Sequence, residues 1–251
     1  MYDVKVPNLL FKYKALNDIN DLENVLMILS ENKIYLPSYT QLNDPLEGVS
    51  VAIDLGICGQ FITGSVDEEH YFVKKAKDRF KIVSFSSSYD SPQLWAHYGG
   101  NYSGLCIGFS TDRTFHNVRK VIYSKHKPSG VRVPNGEGLD EVLLESFLHK
   151  EEHWSYEQEW RYIEKTDNRF LELQKEDIGC VLLGHRIRPV FKKIILEALK
   201  DYNIPVLKTH IGIMSYKIRI LPIDYVHTYD GSTPPFIDDL CSYCENVVDK
   251  Q

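Results

Sequence analysis

Glu157, Glu159 and Arg161 recur at every second position of Trp154-Ser155-Tyr156-Glu157-Gln158-Glu159-Trp160-Arg161-Tyr162-Ile163. Alternate residues of a strand share a face, so this spacing predicts two carboxylates beside a guanidinium, opposite an aromatic face of Trp154, Tyr156, Trp160 and Tyr162. Such a set can steer a polar ligand; it also serves as a solvated strand face whose charges satisfy one another. A second carboxylate pair, Asp44 and Glu47, lies in Asn43-Asp44-Pro45-Leu46-Glu47. There Asx chemistry and the restriction before proline predict a fixed turn, whose plainer role is to cap the next segment. Ser84, Ser86, Ser87 and Ser88 make a hydroxyl-rich strand end that suits a ribose or phosphate oxygen, or simply a strand terminus. Around Gly99-Gly100, Trp95 suits a core anchor and Tyr98 or Tyr102 a platform for a planar ring. His97, with no nucleophile beside it, reads more simply as a packing histidine than as an acid-base group.

These residues need elements to hold them. Leu9 to Lys14 reads as an extended segment, followed by a helix after Asn20 with Glu23 placed as in a capping box and Leu22, Val25, Leu26 and Leu29 on one face. Strands are expected over 33–37, 81–86, 104–109, 118–123, 154–163, 180–184, 204–209 and 214–221, and helices over 66–80, 139–150 and 189–201. Ser91-Pro92 suits an N-cap with proline in the first helical position, and Gly99-Gly100 keeps that helix short. The pattern predicts an α+β fold: a single domain over residues 1–230, with a mixed, largely antiparallel sheet and flanking helices, and a loose C-terminal extension over 231–251.

Composition narrows the function. The chain has 251 residues, 43% hydrophobic and 25% charged, with a net charge of -6 and no basic run that would track a phosphate backbone, which disfavours non-specific nucleic-acid binding. The first residues lack a signal-peptide pattern and no segment is apolar enough to span a bilayer, so a cytoplasmic protein without a membrane partner is expected. The 5 cysteines read as reduced thiols, with Cys241 and Cys244 incidental to a C-terminal tail, since no second half of a metal site has the right spacing. A Gly-x-Ser-x-Gly elbow, a Walker loop, a His-Glu-x-x-His helix and a dinucleotide glycine fingerprint are all missing from the sequence.

Six segments in order, Phe11-Lys12-Tyr13-Lys14, Ile34-Tyr35-Leu36-Pro37, Asn43 to Glu47, Trp95-Ala96-His97-Tyr98, Gly104 to Phe109 and Trp154 to Arg161, resemble the bacterial and phage family catalogued as domain of unknown function 2971 (DUF2971). The resemblance runs from about Leu10 to Leu221 and carries no assigned activity. More distantly the chain resembles ADP-ribosyltransferase-like domains, with Ser84-Phe85-Ser86 and Glu157-Gln158-Glu159 in comparable places in the order. That resemblance implies a split sheet holding NAD as co-substrate, with no metal. It also implies Glu159 as the catalytic carboxylate, Glu157 as its helper, and Lys12, Tyr13, Ser84, Ser86, Tyr98, Tyr102 and Arg161 as binding residues. The implied partner is a protein or nucleic-acid acceptor, in a toxin or phage-defence setting. Such domains usually carry Arg or His on the first strand, where this chain offers Lys12, Tyr13 and Lys14, and lysine meets a phosphate only as a point charge. Two other readings stand beside it: a non-catalytic module that senses a nucleotide or small ligand, and a phosphodiesterase or nuclease whose metal is held by Asp44, Glu47, Glu157 and Glu159.

Overall fold

The structure, a computed structural model, describes residues 5–44, 53–54, 71–128, 131–133, 137–212, 216–225 and 235–248. Strand β1 (Leu9–Lys14) leads to helix α1 (Ile19–Leu29), which buries Leu22, Val25, Ile28 and Leu29. The cap is Asp18 rather than Asn20: its carboxylate accepts from the Asp21 amide at 3.0 Å, while the Asp21 carboxylate accepts from the Asn17 amide, one residue before the cap, at 2.8 Å. Next come β2 (Lys33–Tyr35), a 3-10 turn at Tyr39–Gln41, β3 (Ile53–Asp54), α2 (Tyr71–Lys77) and β4 (Phe80–Ser86). Of the helix expected over 66–80, residues 66–70 lie outside the described residues, and Phe80 already belongs to β4.

Helix α3 (Pro92–His97) starts as Ser91-Pro92 predicts, with the Leu94 amide donating to Ser91 Oγ at 3.3 Å. The chain leaves it through three consecutive left-handed residues, Gly100, Asn101 and Tyr102. Gly104 then passes so close to β1 that a Cβ there would meet the Lys14 carbonyl oxygen at 2.0 Å. Strand β5 (Leu105–Ser110) follows. The single strand expected over 118–123 is two, β6 (Arg119–Lys120) and β7 (Ile122–Ser124), because the chain changes partner at Val121: Val121 donates to Glu159 and Ile122 to Leu148. Then come β8 (Val131–Arg132), α4 (Leu139–Ser146), β9 (His149–Glu151), a 3-10 helix at Glu152–Glu157, β10 (Glu159–Lys165), β11 (Phe170–Glu172), β12 (Ile178–Leu183), α5 (Pro189–Ala198), β13 (Val206–Ile211), β14 (Ile218–Pro222) and α6 (Leu240–Val248).

Eight strands form one sheet in the order β14-β13-β12-β5-β1-β4-β10-β6, antiparallel throughout except for the β12–β13 pair, which α5 connects. The fold is a single α+β domain with a large, mostly antiparallel sheet flanked by helices. One side of the sheet packs against α1 and α5 through residues such as Leu22, Val25, Ile195 and Leu199. The other side packs Trp95 and α6, whose Leu240 and Cys244 are buried, so this part of the C-terminal region docks where the sequence suggested a loose extension. No helix among the described residues is long and apolar enough to cross a membrane.

The sheet opens at one joint. Strand β1 pairs with β5 through six consecutive positions, but with β4 only through Phe11 and Ser86. Beyond that pair the two strands part and leave a cleft.

Candidate functional site

The strand expected over 154–163 is broken at Gln158. Glu152–Glu157 is a 3-10 helix, Gln158 takes left-handed angles (φ 46°, ψ 48°), and only from Glu159 is the chain extended, opposite Ser86 of β4. A non-glycine residue in that region carries strain that surrounding contacts must hold. Here the Ser87 amide donates to the Gln158 carbonyl at 3.1 Å. Ser86 Oγ donates to the Glu157 carbonyl at 2.6 Å and accepts from the Ser88 amide, so its hydroxyl fixes the turn. The kink has a consequence for the site: Glu157 and Glu159 still line one cleft, although they do not share a strand face.

The cleft, about 230 Å³, lies at the opening between β1 and β4. Lys150 on β9 lies between the two carboxylates, its Nζ 2.5 Å from Glu157 Oε2 and 3.2 Å from Glu159 Oε2, and 4.8 Å from the centre of the Trp154 ring. Arg161 grips Glu159 with two bonds, Nε to Oε1 at 2.7 Å and a terminal nitrogen to Oε2 at 2.9 Å, and donates to the Phe147 carbonyl. On the other flank Asn43 Nδ2 donates to Tyr98 Oη at 2.9 Å, and Tyr98 donates to Glu157 Oε1 at 2.5 Å. A continuous polar chain thus runs from Asn43 through Tyr98, Glu157, Lys150 and Glu159 to Arg161, with both glutamates at most 5% exposed.

Charge balance decides the protonation states. Burial alone would raise the Glu159 pKa; the Arg161 guanidinium and Lys150 ammonium outweigh it, with help from hydrogen bonds of Arg161 and Ser84, and hold it at about 2. Tyr98 is pushed the other way, by burial first and then by its bond to Glu157, so its proton stays on oxygen. Lys12 is half-buried on the opposite wall, its Nζ 2.9 Å from the Ser84 carbonyl and 5.7 Å from the Phe85 ring centre. Burial lowers its pKa to about 7, assisted by Lys14 and opposed by Glu159.

The structure brings Lys12, Tyr13, Ser84, Ser86, Tyr98, Glu157, Glu159 and Arg161 to this cleft, with Asn43 at its rim. Tyr13 meets Trp95 edge-on at 5.2 Å and donates to the Ser88 carbonyl, so it shapes the floor. Tyr102 does not reach the cleft: its ring stacks on Trp95 with centroids 6.0 Å apart and an interplanar angle of 5°. Exposed His97 pairs with Tyr156 Oη at 3.1 Å. Lys14 is half-buried beside β5, Ser87 and Ser88 hold the turn over Gln158, and Asp44 is buried outside the cleft lining; Glu47 lies outside the described residues. Sequence reasoning missed Lys150, which it put at the end of the helix expected over 139–150; that helix stops at Ser146, and Lys150 lies on β9, seven residues before Glu157.

Residues 94–162 match the model of a family described as Protein of unknown function (DUF2971). The matched stretch holds Tyr98, Lys150, Glu157, Glu159 and Arg161, most of the polar chain, and leaves out the β1 and β4 wall. Neither the curated proteins nor the solved structures contain a significant match to the chain.

Proposed function

We propose that the cleft between β1 and β4 binds the nicotinamide–ribose half of NAD and cleaves its glycosidic bond, passing the ADP-ribosyl group to an acceptor on a macromolecule or to water. The observation that carries this reading is the meeting of Glu157 and Glu159 with Ser84 and Ser86 in one cleft, at the joint where the sheet opens. At about 230 Å³ the cleft is below the roughly 300–1,000 Å³ of pockets for drug-sized ligands, a volume that suits one nucleoside-sized half of a dinucleotide. Nicotinamide would leave with the bonding electron pair, and the ribosyl carbon would gain oxocarbenium character. A carboxylate held ionised beside that carbon stabilises the developing positive charge more than it stabilises the neutral ribose, which is what lowers a barrier. Glu159, held ionised by Arg161 and Lys150, suits this role, and Glu157, oriented by Tyr98, suits the grip on a ribose hydroxyl.

One observation favours a second reading, a module that binds a nucleotide or small ligand without turnover: the oxygens of both glutamates already have protein partners. The phosphodiesterase reading gains less support, because the Lys150 ammonium lies between the carboxylates where it would need a divalent cation, and Asp44 does not line the cleft. Incubation of the protein with NAD and a cell lysate, followed by mass spectrometry of nicotinamide and ADP-ribose adducts, separates the first two. Release that disappears in Glu159→Gln supports transfer. A saturable thermal shift with NAD but no product supports the binding module and overturns the enzyme.

A further inference from the structure

The geometry points to Lys12 as a nucleophilic amine that captures a small polyhydroxylated aldehyde, such as an open-chain sugar, as an imine inside the cleft. This goes beyond NAD cleavage and needs only that the cleft be open to a ligand.

Three features lead to it. First, Lys12 is placed where the sheet fails: past the Phe11–Ser86 pair, β4 has no backbone partner on β1, and the amine donates to the Ser84 carbonyl across the gap. Second, no ion pair joins Lys12 to a described carboxylate, whereas Lys150 and Arg161 are bound to the two glutamates. The charged groups that face Lys12 are Lys14 on its own strand and Glu159 on β10, with opposite effects, and burial adds to that of Lys14. With a pKa of about 7 the amine is about half neutral near pH 7, whereas an ordinary surface lysine is neutral about one part in 10³ or less. Third, the same cleft presents Ser84, Tyr98, Glu157 and Glu159, groups that hydrogen-bond sugar hydroxyls. An unprotonated lysine desolvated in a pocket is how a carbonyl is captured by an amine.

The step balances without a redox partner. The Nζ lone pair attacks the aldehyde carbon and one amine proton passes to the carbonyl oxygen, giving a carbinolamine; the nitrogen lone pair then forms the C=N bond as the hydroxyl takes up the second amine proton and leaves as water. The imine is released by the reverse reaction.

Borohydride trapping tests this on the full chain. The protein is incubated near pH 7 with ribose or ribose 5-phosphate, reduced, digested and mapped by mass spectrometry, with every other lysine as an internal control. Lys12 is expected to carry the reduced adduct at about tenfold or more above the median lysine, falling as the pH drops below about 6. Lys12→Arg should lose that site alone. Labelling spread evenly over the lysines overturns the inference, as does binding of ribose 5-phosphate with no adduct at Lys12. Because no NAD is present, failure here is distinct from failure of the NAD reading.

Discussion

Replacing Lys12 by methionine should stabilise the protein in mild acid and destabilise it in base. A lysine whose pKa falls from 10.5 to about 7 on folding penalises the native state whenever it is protonated. At about 1.4 kcal/mol per pKa unit the full penalty is of order 5 kcal/mol, and relaxation of the site brings the realised part nearer 3. The sign follows from proton counting: between pH about 7 and 10.5 the unfolded chain binds more protons than the folded one, so stability rises with pH over that window. Methionine removes the penalty and also the bond to the Ser84 carbonyl, a loss of about 1 kcal/mol. Near pH 6 the variant should therefore be more stable by about 2 kcal/mol; at about pH 11.5, above the pKa of the unfolded lysine, where the amine is neutral in both states and the native protein keeps its bond, it should be less stable by about 1 kcal/mol. Urea unfolding of both proteins at several pH values reads this difference directly, since the other titrating groups cancel. A variant destabilised by the same amount at both ends would refute the reasoning and place Lys12 as an ordinary solvated ammonium.

Removing the Tyr98 hydroxyl with Tyr98→Phe breaks its bonds with Asn43 and Glu157 and should cost about 1.5–3 kcal/mol by denaturant unfolding, the range for bonds to a charged group. Arg161→Met leaves Glu159 buried without its bidentate partner and should cost about 3–5 kcal/mol, with Glu159→Gln in the same chain restoring part of the loss. Acid unfolding should show a carboxylate whose stabilisation is complete above about pH 4.5 and is lost as the pH falls toward about 2; Glu159→Gln should flatten that part of the profile.

Where local chemistry decided the structure, the sequence was readable. Ser91-Pro92 caps α3, the apolar spacing of α1 marks the face it buries, and the alternation in Phe80–Ser86 marks β4. The period of two over Trp154 to Ile163 misled because its first half is coincidental: Trp154 covers the Lys150 ammonium from a 3-10 turn, and only Trp160 and Tyr162 share the inward face of a strand. Gln158 gives no warning of its left-handed angles, since the bonds that hold it come from Ser86 and Ser87, about seventy residues away. Lys150 is of the same kind, a residue whose role exists only once β9 and β10 are side by side. The docking of α6 was equally hidden, because it depends on Cys244 meeting Cys180 of β12, a contact that, with burial second, pushes the Cys180 thiol pKa upward. Convergence of the Asn43 turn, the Ser84 strand and the Glu157–Arg161 segment on one cleft is a property of the sheet order, which no single segment encodes.

The central claim, that Glu159 stabilises cleavage of NAD in the β1–β4 cleft, is tested most directly by measuring NAD affinity and nicotinamide release together for the wild type and for Glu159→Gln. The claim predicts that the variant keeps NAD affinity within a few-fold while kcat falls by about 10²-fold or more, as removal of a charge acting only in the transition state requires. Equal turnover in the two proteins, or wild-type binding with no nicotinamide at all, would contradict it.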